Sequence, residues 1–192
     1  MKKKIAILGS TGSIGKTLID IIKKDNKNFE VILLTADKNG TELINQAKLL
    51  NVKNLIITNK KSFNQFIKKK NYKINIYNDY QKFNKIFKSK VDYVMNSISG
   101  IEGLKPTLKI IKHTKKIAVA NKESIICGWN LISAKLKLYK TEFIPIDSEH
   151  FSINELIKNT NKKKIEKVFI TASGGPFLNY NHSSFRNIKV KN

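Results

Sequence analysis

A run of four apolar residues, Ile5-Ala6-Ile7-Leu8, breaks into Gly9-Ser10-Thr11-Gly12-Ser13-Ile14-Gly15 at the start of the chain. Ile14, Leu18, Ile21 and Ile22 then fall at i, i+4, i+7 and i+8, the spacing of one helical face. A buried strand, a glycine-rich turn and an amphipathic helix in that order leave few folds open. Gly9 turns the chain tightly off the strand, Gly12 clears the backbone where a pyrophosphate approaches, and Gly15 lets the helix pack close to the sheet. The helix N-terminus then offers free N–H groups and a positive dipole end to phosphates. The spacing Gly-x-x-Gly-x-x-Gly is a variant of the Gly-x-Gly-x-x-Gly fingerprint, and a plain strand-to-helix turn uses the same residues.

The rest of the chain alternates. Phe29–Leu34, Asn54–Thr58, Ile74–Tyr77, Val91–Met95, Lys116–Ala120 and Glu142–Asp147 read as strands. Between them, Leu43, Ile44, Ala47 and Leu50 share a helical face, as do Phe63, Phe66 and Ile67, Tyr80, Phe83, Ile86 and Phe87, and Leu104, Leu108 and Ile111. Ser124 to Lys140 reads as a further helix, and Lys167–Thr171 as a last strand. Strands alternating with helices predict an α/β fold, a doubly wound parallel sheet of Rossmann-like type. Ligands in such sheets sit beyond the carboxyl ends of the strands.

Net charge is the one unusual bulk property, at +23, and it raises a nucleic-acid reading. Only Arg186 among the 37 basic residues is arginine, and the lysines run through the whole chain. Nucleic-acid recognition favours arginine's planar fork. The expectation is therefore weak, salt-sensitive adhesion to polyanions and no specific nucleic-acid partner. Cys127 is the single cysteine, which excludes an internal disulfide, points to a reducing compartment and reads as a small core residue. No signal peptide or membrane-length apolar run is found, so a cytoplasmic protein without a membrane partner is expected.

Four strand ends carry chemistry. The glycine loop is the first. Ala36-Asp37-Lys38-Asn39-Gly40 is the second: a carboxylate suits the ribose hydroxyls of NAD, whereas lysine and asparagine suit the 2′-phosphate of NADP, and both kinds are present. Asn121-Lys122-Glu123 is the third, able to hold a nicotinamide, a polar substrate and a ribose, or simply to start a helix with Glu123 near the positive dipole end. The fourth is Pro145-Ile146-Asp147-Ser148-Glu149-His150, where Asp147 and Glu149 lie on one side of an extended segment and suit Mg²⁺ or Mn²⁺ if further oxygens complete the cage. Downstream, Ala172-Ser173-Gly174-Gly175-Pro176-Phe177 is a corner with exposed N–H groups and a hydroxyl, suited to an anion.

Together with Gly103-Leu104-Lys105-Pro106-Thr107-Leu108, these stretches resemble the 1-deoxy-D-xylulose 5-phosphate reductoisomerase family in order and spacing. Asn-Lys-Glu-Ser followed by Asp-Ser-Glu-His is the most specific part. The resemblance implies an NADPH-dependent oxidoreductase and isomerase that converts 1-deoxy-D-xylulose 5-phosphate to 2-C-methyl-D-erythritol 4-phosphate, in isoprenoid precursor synthesis. It implies a nucleotide-binding domain over 1–147 and the beginning of an α+β catalytic domain over 148–192. The cofactor would be held by Thr11, Gly12, Ser13, Ile14, Asp37, Lys38, Asn39, Asn121 and Glu123. Lys122, Ser148, Glu149 and Ser173 would contact the phosphosugar substrate, with Lys122 and Glu149 catalytic. Asp147 and Glu149 would bind Mn²⁺, Mg²⁺ or Co²⁺. The full-length family is homodimeric.

Two departures qualify this. Asp37 stands where many relatives carry a small residue, and its charge opposes a 2′-phosphate. The family is also roughly twice as long; its His-Pro-Asn-Trp loop and a third metal carboxylate would lie beyond Asn192. The expectation is that these 192 residues alone have negligible reductoisomerase activity. Substrate- and Mn²⁺-dependent NADPH oxidation by this chain would contradict it. The competing reading is a stand-alone dinucleotide-binding remnant without catalysis.

Overall fold

The computed structural model describes residues 1–67, 74–146, 148–158, 160–169, 181 and 183, without the side chains of Ser148, Glu149 and Lys162. It divides into two compact units, Met1–Phe151 and Ser152–Asn192. The first unit alternates strand and helix: β1 (Lys3–Leu8), α1 (Ser13–Lys24), β2 (Phe29–Ala36), α2 (Gly40–Leu49), β3 (Asn54–Ile57), α3 (Lys60–Ile67), β4 (Asn75–Tyr77), α4 (Phe83–Ile86), β5 (Val91–Asn96), α5 (Leu104–Ile110), β6 (Thr114–Val119), α6 (Lys122–Tyr139) and β7 (Glu142–Pro145). Helix α7 (Ser148–Lys158) follows.

The strands form one seven-stranded sheet in the order β4-β3-β2-β1-β5-β6-β7, with every pair parallel. Parallel strands are buried on both faces, so their sequences are apolar throughout rather than alternating. In β1, Ile5 and Ile7 enter one core with Ile19 and Ile22 of α1 and Leu43, Ile44 and Ala47 of α2. Ala6 and Leu8 enter the other, with Phe83 and Ile86 of α4, Ile110 of α5, and Ile132 and Leu136 of α6. Each buried Leu, Ile or Phe among them contributes about 1.5–3 kcal/mol relative to exposure.

Strand β2 carries an irregularity. Ile5 pairs with Val31 but Ala6 pairs with Leu33, a one-residue offset. Ile32 and Leu33 consequently both pack toward the α4–α6 side, while Val31 and Leu34 lie in the other core. The extra residue reverses the in-out order of everything after it.

Three expectations are corrected. The buried face of α1 is Gly15, Ile19 and Ile22, at i, i+4 and i+7. Ile14 and Ile21 are exposed, because Gly15 is the point of closest approach to the loop and sets which side turns inward. Cys127 is exposed, since the buried positions of α6 are Ser124, Gly128, Ile132 and Leu136. Lys167–Phe169 is not a strand; strand-forming composition without a pairing partner among the described residues does not make one. Ile170 and Thr171, the rest of that segment, lie outside the described residues. Among the described residues no helix is long and apolar enough to cross a membrane.

Candidate functional site

Chain order reverses between β1 and β5: β2, β3 and β4 are added on one side of β1, and β5, β6 and β7 on the other. The loops after β1 and β5 therefore separate and leave a crevice at the carboxyl ends of the strands. A cleft of about 510 Å³ occupies this position. Its lining includes Gly9, Thr11 and Gly12 from the β1 loop, Asp37 just after β2, Thr58 just after β3, and Ser97 and Glu102 from the β5 side.

The glycine loop is fixed from both flanks. Gly9 has φ +78°, a conformation that favours glycine. Its N–H donates to Thr35 Oγ1 at 2.9 Å, and Ser10 N–H donates to the Thr35 carbonyl at 2.9 Å. From the other side, Ser97 Oγ donates to the carbonyls of Leu8 at 2.8 Å and Gly9 at 3.0 Å. Gln46 of α2 donates to the Ser10 carbonyl at 3.1 Å. A Cβ on Gly15 would lie 2.4 Å from Gly9 O and 2.6 Å from Ser10 Cα, so helix and loop meet backbone to backbone.

Gly12 is different. Its φ of −77° is open to any residue, and an added Cβ would meet nothing closer than Gly9 O at 3.5 Å. It caps α1 without a side-chain hydrogen bond, and no acidic residue occupies the first turn. The exposed Ser13 and Ile14 begin that turn. This helix end is uncompensated, and the fold itself does not require glycine there.

At the end of β2, Asp37 is exposed and its Oδ1 accepts from Thr58 Oγ1 at 2.8 Å. Asn39 caps α2 by accepting from Glu42 N–H at 3.2 Å, and Lys38 is exposed. Tyr80, in the 3₁₀ turn Tyr80–Lys82, also lines the cleft. Burial pushes its phenol up to about 12; the negative charges of Asp37 and Glu102 add to this, against a hydrogen bond with Thr35.

Asn121 is buried, and both ends of its amide are bonded. Its Oδ1 accepts from Ser124 N–H at 3.0 Å, capping α6, and its Nδ2 donates to the Ile98 carbonyl at 2.7 Å. Fully buried Asn96 performs a similar task, donating to Gly103 O at 2.9 Å and to Thr107 Oγ1 at 2.6 Å while accepting from Ile98 N–H at 3.1 Å. The loop from Ile98 to Gly103 is thus held by two asparagines. Lys122 and Glu123 stand exposed on the first turn of α6 and are not among the cleft's lining residues.

Of the expected site residues, the structure brings Thr11, Gly12 and Asp37 into one cleft, with Ser13 and Ile14 at its helix end. Asp147, Ser173 and the side chains of Ser148 and Glu149 lie outside the described residues. Among the described residues no three His, Cys, Asp or Glu groups converge. Thr35, Thr58, Asn96 and Ser97 were not singled out as site residues from the sequence, which marks Tyr80 only as part of a helical face. The only signal of the first four is position, at or just after a strand end.

The family model described as 1-deoxy-D-xylulose 5-phosphate reductoisomerase matches residues 5–128, and that of its C-terminal domain matches residues 143–192. A relative from Pelagibacter ubique, named 1-deoxy-D-xylulose 5-phosphate reductoisomerase, is 59% identical over 98% of the chain and 50% of its own length. The solved structure of the Zymomonas mobilis reductoisomerase in complex with NADPH superposes with a TM-score of 0.83 at 29% identity, covering 98% of this chain and 50% of that one. A solved DOX-P reductoisomerase in complex with NADPH, fosmidomycin and magnesium gives 0.75 at 27% identity, over 98% of this chain and 50% of that one. The chain spans about half the length of the relatives it matches.

Proposed function

Because the chain belongs to the 1-deoxy-D-xylulose 5-phosphate reductoisomerase family, we propose that its first unit binds NADPH for the conversion of 1-deoxy-D-xylulose 5-phosphate to 2-C-methyl-D-erythritol 4-phosphate. The observation that carries this reading is Gly12: a glycine the fold does not need, at an uncapped helix N-terminus, on the wall of the cleft. An approaching pyrophosphate is a physical reason for that residue type there. Thr11, Gly12, Ser13 and Ile14 would hold the diphosphate, and Asp37, Lys38 and Asn39 the adenosine end. Asn121 would act chiefly by positioning the Ile98–Gly103 loop, with Glu123 at the nicotinamide side.

When bound, the cofactor supplies the hydride. Lys122, on the first turn of α6, would bring positive charge to the substrate where anionic character develops. Asp147 and Glu149 would hold Mg²⁺, Mn²⁺ or Co²⁺ through hard carboxylate oxygens. Ser148 and Glu149 would contact the phosphosugar and Ser173 its phosphate, with residues 148–192 contributing to the catalytic domain and residues 1–147 forming the nucleotide-binding one. A cytoplasmic location and a homodimeric full-length enzyme complete the proposal.

Fluorescence titration with NADPH tests it. Saturable binding is expected in the wild type, with loss of at least about tenfold in affinity in Gly12→Leu at an unchanged melting temperature. Equal affinity in the two proteins would refute the cradle.

A further inference from the structure

Asp37 is held unusually firmly for an exposed carboxylate. Thr58 donates to its Oδ1 at 2.8 Å, and Asn59 N–H donates to its carbonyl at 3.3 Å. Backbone and one carboxylate oxygen are thus both fixed by the turn after β3, which leaves Oδ2 to accept from a ligand. The cleft that Asp37 lines contains a second carboxylate, Glu102, and among the described residues no lysine or arginine lines it, although the chain carries +23 overall. The neighbouring cation, Lys38, is not among the lining residues and makes no ion pair among the described residues. Asn39 spends its Oδ1 on the α2 cap.

We propose that the Thr58–Asp37 pair sets nucleotide selectivity at the adenosine end, so that this chain binds NADH within about tenfold of NADPH. The inference rests on the dinucleotide reading above. A ribose diol donates hydrogen bonds, and a fixed carboxylate oxygen accepts them. A 2′-phosphate instead brings like charge against the same oxygen, and the neighbouring Lys38 offsets it only in part. Without Thr58, Asp37 would turn to solvent and relieve that repulsion. With Thr58, it remains where a bare 2′-hydroxyl is favoured.

Both nucleotides are titrated into wild type, Asp37→Ser and Thr58→Val, with 5′-AMP and 2′,5′-ADP as fragments. Both titrate the same folded population, so the ratio of affinities is insensitive to a loss of stability. Asp37→Ser is expected to shift the ratio toward NADPH and 2′,5′-ADP by at least about tenfold, and Thr58→Val by about threefold in the same direction. A wild-type preference for NADPH beyond about tenfold, or a ratio unchanged in Asp37→Ser, overturns the proposal while the dinucleotide reading stands. Failure of the wild type to bind either nucleotide overturns both.

Discussion

The side-chain amide of Asn121 donates to the carbonyl of Ile98 at 2.7 Å, joining the start of α6 to the loop that follows β5. The same side chain caps the helix through Ser124 N–H, so one residue closes two structures. Asn121→Asp retains the capping oxygen but sets a carboxylate against the Ile98 carbonyl. A loss of about 1–3 kcal/mol is expected in urea denaturation, the cost of a buried acceptor left unmatched. A variant as stable as wild type would show that the Ile98 contact contributes nothing.

Gly15 and Gly12 separate folding from binding. Gly15→Ala places a methyl group against the backbone of Gly9 and Ser10 and is expected to cost about 1–3 kcal/mol or more. Gly12→Ala meets no such wall, and its unfolding midpoint is expected to stay within about 0.5 kcal/mol of wild type. Paired chemical denaturation curves decide the matter; equal losses would remove the distinction.

His113 gives the fold a defined acid sensitivity. Its ring stacks on Phe87 with centroids 5.3 Å apart, and its Nε2 is buried with no partner among the described residues. Burial, aided by the nearby Lys112 charge, lowers its pKa to about 4. Below the ordinary value of 6.5 the unfolded chain binds a proton that the folded chain refuses. Its contribution is therefore complete above pH 6.5 and declines as pH falls toward 4. His113→Phe is expected to flatten the stability profile across that window, measured as urea midpoint against pH; an unchanged slope would assign the acid sensitivity elsewhere.

The lysine excess predicts an electrostatic signature of a simple kind. Binding to duplex DNA is expected to be independent of sequence and to fall steeply between about 50 and 200 mM salt. Filter binding with two unrelated duplexes across that range tests it. Sequence preference that survives the higher salt would point to a dedicated nucleic-acid surface.

The sheet was legible because buried parallel strands announce themselves as apolar runs: Ile5–Leu8 and Leu55–Ile57 could hardly sit elsewhere. The glycine loop was equally legible, since Gly9 and Gly15 answer to conformation and contact that only glycine satisfies. The inward side of α1 was less so. Ile14 and Ile21 match Ile19 and Ile22 in hydrophobicity, and only the Gly15 contact decides among them. Thr35, Thr58 and Ser97 escaped notice because their roles depend on which strands become neighbours. Neither spacing nor composition records that β3 lies beside β2, or β5 beside β1. Asn121 was noticed for its chemistry, whereas the structure first uses it to cap a helix and hold a loop.

The offset in β2 has a genetic corollary. Thr35, which receives the Gly9 N–H, and Asp37, which enters the cleft, both lie after the extra residue near Ile32. Loss of one codon there would restore a regular strand and improve its local pairing. Thr35 and Leu34 would keep the sides on which they point, because Leu33 already pairs with Ala6 and Leu34 with Ile7, and the loop's support would survive. A change that tidies the sheet would thus leave the site in place, so a one-residue alignment gap at this point of β2 would be no sign of lost cofactor binding, unlike a bulky residue at Gly12 or Gly15.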